Sequence, residues 1–155
     1  MPAERTRTIT LITLLRRTSQ LMVDELIERL RAAGFPESVA AQHPVFENID
    51  PDGTRLTVLA ARAGMTHQSM SELVQSMVAL GHLERRPDPS DRRARLVALT
   101  PYGQRMVRTA VGEISAIEAA WLERWRTAGF DVDVRSMLDA GLGTHRSQST
   151  DARST

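Results

Sequence analysis

Between Thr66 and Gly81 the apolar residues Met70, Leu73, Val74, Met77 and Val78 recur at intervals of three and four, which lays a single stripe along an α-helix. The spacing predicts a helix running to Leu80, with His67, Gln68, Ser69, Ser71, Glu72 and Gln75 facing away from the stripe or flanking it. Just upstream, Thr54 to Gly64 reads as a short helix stopped by glycine, so the pair makes a helix-turn-helix pattern. Downstream the period changes. Leu83 to Arg86 and Arg95 to Leu99 read as strands, with Val97 and Leu99 on one face and Leu96 and Ala98 on the other. Pro87, Asp88, Pro89, Ser90 and Asp91 between them are turn formers, which predicts a hairpin.

Longer amphipathic stretches flank this centre. From Thr8 to about Ala33, Ile12, Leu15, Met22, Leu26 and Leu30, with Ile9, Val23 and Ile27 beside them, predict a long helix stopped by Gly34 and Pro36. From Pro101, after a Thr100 cap, Val107, Val111, Ile114, Ile117, Trp121 and Trp125 predict a second, ending before Gly129. Residues 131–140, with Val132, Met137 and Leu138, read as a last short helix. A helix as long as that second one cannot bury its stripe on a small central domain alone. Pro44 interrupts any long helix between Pro36 and Gly53 and is placed to start a short one that turns Val45, Phe46 and Ile49 inward. Beyond Gly141 the Gly, Ser, Thr, Gln and Arg residues have little to bury, which reads as a mobile tail. The organisation expected is an N-terminal helix over 1–34, a central region over 35–100, C-terminal helices over 101–140 and a tail over 141–155, all in one integrated domain.

The hairpin tip carries the most specific chemistry. Asp88-Pro-Ser-Asp91-Arg92-Arg93 sets two acids and two arginines on one turn, with Arg95 beyond. A guanidinium projecting from such a loop fits a narrow, electronegative DNA groove, and a neighbouring acid can fix its direction by a forked hydrogen bond. The short polar side chains near the start of the Thr66 helix suit a major groove, where first-turn residues read base edges and helix amides favour a phosphate. Charge follows the same map: Arg55 to Arg95 holds seven Arg and four acidic residues, in a chain whose net charge is only +1. Basicity is concentrated where the motif lies.

In order, the Leu-Ala-x-x-Ala-Gly helix, the Thr-capped polar helix, Leu83-Glu84-Arg85, the Asp88-to-Arg93 tip and Leu99-Thr100-Pro101-Tyr102-Gly103 resemble the winged helix-turn-helix of MarR-type bacterial regulators over residues 54–103. The resemblance implies a mainly α fold with a small β-wing, its winged domain flanked by long dimerisation helices that interdigitate across a twofold axis. It implies a homodimer on double-stranded, palindromic operator DNA. Thr66, His67, Gln68, Ser69, Ser71 and Gln75 become candidate base or phosphate contacts, and Arg92, Arg93 and Arg95 candidate wing contacts. Asp88 and Asp91 become the residues that orient the wing. Glu72 departs from the pattern; it either accepts from a cytosine amino group or pairs with Arg62 and points away from DNA. Pro44 also departs, because many relatives carry an uninterrupted helix there, and this puts a copied effector pocket in doubt. The function implied is a transcriptional repressor released by a small-molecule effector.

Composition narrows the alternatives. At 155 residues the chain can bury one core and scarcely two. No apolar run reaches membrane-spanning length and no leader pattern opens the chain, so a cytoplasmic protein is expected. The absence of cysteine excludes disulfides, thiolate zinc sites and thiol-based sensing. His43, His67, His82 and His145 form no metal-ligand spacing, no glycine-rich phosphate loop follows a strand, and neither a cofactor nor an enzymatic activity is expected. Every Lys-or-Arg position is Arg, which suits forked phosphate contacts and equally follows from a G- and C-rich genome. Two other classes fit the same residues: a winged module that binds protein, and a small-ligand-binding protein without DNA contact.

Overall fold

The computed structural model describes residues 9–151, with side chains for 9–143; Thr8, the side chain of His145 and most of the expected tail lie outside the described side chains. Two compact units divide the chain, one up to Ile114 and one from Ser115. The fold is mainly α with one three-stranded antiparallel sheet.

In the first unit, α1 covers Leu11–Ala32. It starts where the Thr10 hydroxyl accepts the Thr13 amide at 3.3 Å and stops where Gly34 takes a φ of 99°. Leu26 and Leu30 near its C-terminal end are buried, whereas Leu11, Ile12, Leu14, Leu15 and Leu21 are 45–79% exposed. After a 3₁₀ turn at Ala40–Gln42, α2 (His43–Asn48) carries Pro44 in its first turn, where a missing N–H costs nothing. That short helix buries Val45 completely and packs Phe46, with Ile49 just beyond it, onto the core, as the Pro44 reading expects.

The helix-turn-helix consists of α3 (Leu56–Arg62) and α4 (His67–Ala79). Thr66 caps α4 by accepting the Ser69 amide at 3.1 Å, and Gly64 and Gly81, at φ 62° and 80°, turn the chain at either side. Met70, Val74 and Met77 are fully buried with Val45 and Leu59, and Leu73 and Val78 pack beside them. Each such side chain contributes about 1.5–3 kcal/mol on leaving water, so the stripe fixes the rotational setting of α4.

Three strands complete the centre: β1 (Thr54–Arg55), β2 (Leu83–Asp88) and β3 (Asp91–Leu99), in the order β1-β3-β2. The hairpin pairs Leu83 with Leu99 through to Asp88 with Asp91, with an irregularity at Pro87 and Asp88 and only Pro89 and Ser90 at the tip. One expectation is corrected here. Thr54 and Arg55 do not open the first helix; they pair with Val97 and Leu96 of β3 as a short edge strand.

From Pro101 to Thr127 runs α5. The Thr100 hydroxyl accepts the Gly103 amide at 3.0 Å and donates to the Gly81 and His82 carbonyls, so one residue caps the helix and ties it to the start of β2. In the second unit Trp121 and Trp125 meet edge to face at 5.7 Å, and the Arg124 guanidinium lies 4.6 Å from the Trp121 ring centre. The last helix, α6 (Val134–Asp151), begins after Asp133, whose carboxylate accepts the Ser136 amide and hydroxyl. It starts later and runs further than the apolar pattern of 131–140 indicates. Phe130, Val132, Met137, Leu138 and Leu142 are exposed. Among the described residues no helix is long and apolar enough to cross a membrane.

Candidate nucleic-acid interface

Because Met70, Val74 and Met77 point inward, the opposite face of α4 is left to solvent. Thr66, His67, Gln68, Ser69 and Gln75 are exposed and Ser71 is partly so. Three of the six are engaged locally: the Thr66 hydroxyl donates to Ser69 Oγ at 2.9 Å while accepting its amide, which holds the first turn in register. Gln68 donates through Nε2 to Glu72 Oε1 at 3.1 Å. Glu72 therefore does not pair with Arg62. That arginine is taken by Asp50, at 2.9 and 3.0 Å, and by the Asn48 carbonyl, because the turn before β1 brings Asp50 to the end of α3. Asp50 in turn sits below the usual carboxylate range, held there by Arg62 and then Thr54.

The wing brings its arginines out on the opposite strand. Arg92, Arg93 and Arg95 lie on β3, are all exposed, and form no side-chain hydrogen bond or ion pair among the described residues. Asp88 makes its contacts with Arg55 and Ser90 and none directly with Arg92 or Arg93 among the described residues. Buried at 5% exposure, it receives Arg55 Nε on Oδ2 at 2.7 Å, and the Ser90 amide and hydroxyl on Oδ1 at 2.8 and 2.6 Å. Asp88 thus locks the tip and fastens it to β1. Asp91 acts more locally, accepting the Arg93 amide at 3.0 Å, so it sets the backbone from which Arg93 projects. Arg55, 43% exposed and also reaching Ser90, is the residue that sequence reasoning missed. Its partner lies 33 positions away, and no local pattern announces such a pair.

The lock is charge-dependent. The two Ser90 bonds and then Arg55 hold the Asp88 carboxyl down at about 2, against an ordinary value of 3.8. A depressed folded-state value means stability that is present above 3.8 and lost as pH falls toward 2. Asp88→Asn is expected to lower the thermal midpoint at neutral pH and to flatten its dependence on pH across that acid interval. Melting curves of both proteins across the interval check this; parallel curves would show that another group titrates there.

His43 is 3.9 Å from Glu47 on α2, and His82 is buried against Glu37 and Tyr102. Among the described residues no three His, Cys, Asp or Glu side chains come together in a way that could hold a metal ion.

Comparison with known proteins bears on this arrangement. Residues 39–94 match the sequence model of the MarR family. A comparison with curated proteins finds no match. Among solved structures, a MarR family transcription regulator is 21% identical, with 94% of this chain and 89% of that one covered at a TM-score of 0.68. CouR from Rhodococcus jostii RHA1, bound to p-coumaroyl-CoA, is 23% identical over 88% of this chain and 93% of its own, again with a TM-score of 0.68. MepR of S. aureus, in a DNA complex, is 18% identical over 91% of this chain and 99% of its own, with a TM-score of 0.67. At these identities the likeness is one of fold.

Proposed function

We propose, for a chain whose winged helix is of the MarR type, that two copies form a twofold dimer that binds double-stranded DNA sequence-specifically and regulates transcription. The observation that carries this reading is the joint presentation, within one compact unit, of three exposed wing arginines and a solvent-facing polar helix start. In this reading α4 enters the major groove. Gln68, Ser69, Ser71 and Gln75 supply base or phosphate contacts, with His67 beside them, while Thr66 and the helix amides favour a phosphate. Arg92, Arg93 and Arg95 reach the backbone or the minor groove, and Asp88 and Asp91 keep the tip rigid enough to aim them. Arg55, fastened to that tip, adds a fourth positive side chain at its base.

Surface chemistry supports a dimer. The exposed leucines and isoleucine of α1 and the exposed apolar residues of 130–142 exceed what a solvated helix face needs to carry. A twofold protein presents its recognition helices one DNA turn apart, roughly 34–36 Å, to a palindromic site. The MepR structure is a DNA complex and the CouR structure has p-coumaroyl-CoA bound. By analogy, this chain acts in the cytoplasm as a repressor whose small-molecule effector alters that spacing and releases DNA.

Gel-shift titration with the DNA upstream of its own gene tests the reading. A discrete complex is expected whose log affinity falls by about 0.9 per phosphate contact for each decade of salt, together with a dimer by sedimentation. Weak binding without sequence preference would favour a protein-interaction module instead.

A further inference from the structure

His82 is fully buried, and neither ring nitrogen has a hydrogen-bond partner among the described residues. That is an unusual state for a donor and an acceptor shut away from water, because buried polar atoms are nearly always paired. Its surroundings come from three further segments. Tyr102, in the first turn of α5, stacks on the ring at 5.2 Å with an interplanar angle of 18°, and Phe46 of α2 meets it edge-on at 5.8 Å. Glu37, between α1 and α2, places Oε1 3.5 Å from Nε2 and receives the Tyr102 hydroxyl on the same oxygen. The titratable and charged groups of the cluster are Glu37 and Tyr102, with Arg105 above the Tyr102 ring at 5.5 Å, and from α2 the Phe46 ring meets the imidazole.

We propose that His82, Glu37 and Tyr102 form a proton-operated joint, in which one proton taken up by the ring converts a stacked, unpaired imidazole into an imidazolium that donates to Glu37. Closing the 3.5 Å gap draws Glu37 toward His82 and makes Tyr102 share its acceptor. The movement does not stay in the side chains. Glu37 lies on the segment that connects α1 to α2, and His82 connects α4 to β2. The His82 carbonyl is also held by the Thr100 amide and hydroxyl at 3.0 and 3.1 Å, which set the start of α5. One protonation therefore acts on the α1–α2 connection, on the α4–β2 connection and on the start of α5.

Electrostatics favour a neutral ring at rest. Burial pushes the His82 imidazole below its ordinary 6.5, and the Glu37 charge pulls it partly back. On Glu37, burial raises the carboxyl, but the Tyr102 hydroxyl, a backbone amide and His82 together hold it below 4.5. For a histidine with a depressed folded-state value the unfolded chain binds the proton more readily. Stability therefore rises with pH through the interval that ends at 6.5, and is lost as pH falls back through it.

Ring-nitrogen NMR of the full chain tests the joint. The His82 signal is expected to be neutral at neutral pH and to titrate with a midpoint below 6.5. The backbone amides of Glu37, Gly81 and Gly103 are expected to shift with that same midpoint, and Glu37→Gln to move it lower still. A midpoint at or above 6.5, or amides that ignore the titration, would overturn the proposal. Regulation rests on the DNA-binding reading and is checked separately, in His67→Gln protein to remove the imidazole on α4. Operator affinity there is expected to change about fivefold or more over the His82 interval, in line with typical coupling between sites. His82→Phe, which keeps the aromatic stack, is expected to abolish the change; an affinity that does not follow the titration overturns the regulatory role. If the unsubstituted chain binds no DNA at any pH, the DNA-binding reading fails, and the ring and amide titrations still decide the joint.

Discussion

Gly103→Ala is expected to destabilise the protein by about 3 kcal/mol or more, at the upper end of what overpacking costs. A Cβ at this position would lie 2.2 Å from the His82 carbonyl oxygen and 3.1 Å from its carbon, both main-chain atoms that cannot rotate away. The close approach is built by the Thr100 cap, whose hydroxyl accepts the Gly103 amide and donates to the same carbonyl. Relief requires the first turn of α5 to lift off β2, which breaks the cap as well. For a chain of this size such a loss lowers the thermal midpoint by on the order of 10 °C. Gly112 in the same helix provides the control, because a Cβ there meets nothing within 4 Å. Gly112→Ala is expected to raise stability by about 0.5–1 kcal/mol through helix propensity alone. Thermal melts of the two variants should therefore move in opposite directions, and equal shifts would remove the packing explanation.

The helix-turn-helix and the hairpin were legible because their signals are local. A three-and-four stripe fixes which face of α4 is buried, Thr66 and Gly81 mark its ends, and two prolines with Asp and Ser can only make a turn. The same locality explains what stayed hidden. Two residues have no periodicity, so Thr54 and Arg55 carry no strand signal until β3 lies beside them. Asp88 sits three and four residues before Asp91 and Arg92 in sequence, yet its guanidinium partner is Arg55, brought to it by the pairing of β1 with β3. His82 looked like an isolated ring because Glu37 and Tyr102 reach it from opposite ends of the first unit. At the end of the chain, α6 continues across Gly141 and Gly143 against their low helix propensity, which no reading of side-chain pattern would favour. The candidate contacts on α4 follow from helix phase, whereas the Asp88 lock needed the fold.

Replacing Arg92 and Arg93 together with alanine is expected to weaken operator binding by a hundredfold to a thousandfold, on the order of 1 kcal/mol for each of four arginines in a dimer, at about 1.4 kcal/mol per decade. Both side chains are exposed and have no partner among the described residues, so their charge is available at little cost in desolvation. For the same reason their loss is expected to change folding stability by no more than about 0.5 kcal/mol. The backbone that supports them is also retained: alanine at position 93 keeps the amide that donates to Asp91, and Asp88 still binds Arg55 and Ser90. Affinity and stability should therefore separate. The slope of log affinity against log salt should fall by about 0.9 for each phosphate contact removed, which distinguishes lost charge from a misplaced wing. Asp88→Asn offers the complementary case, with every wing arginine present but the tip unlocked. A smaller loss of affinity with a larger loss of stability is expected there. If the arginine variant melts as early as Asp88→Asn does, the two guanidinium groups hold the wing together rather than presenting its charge to DNA.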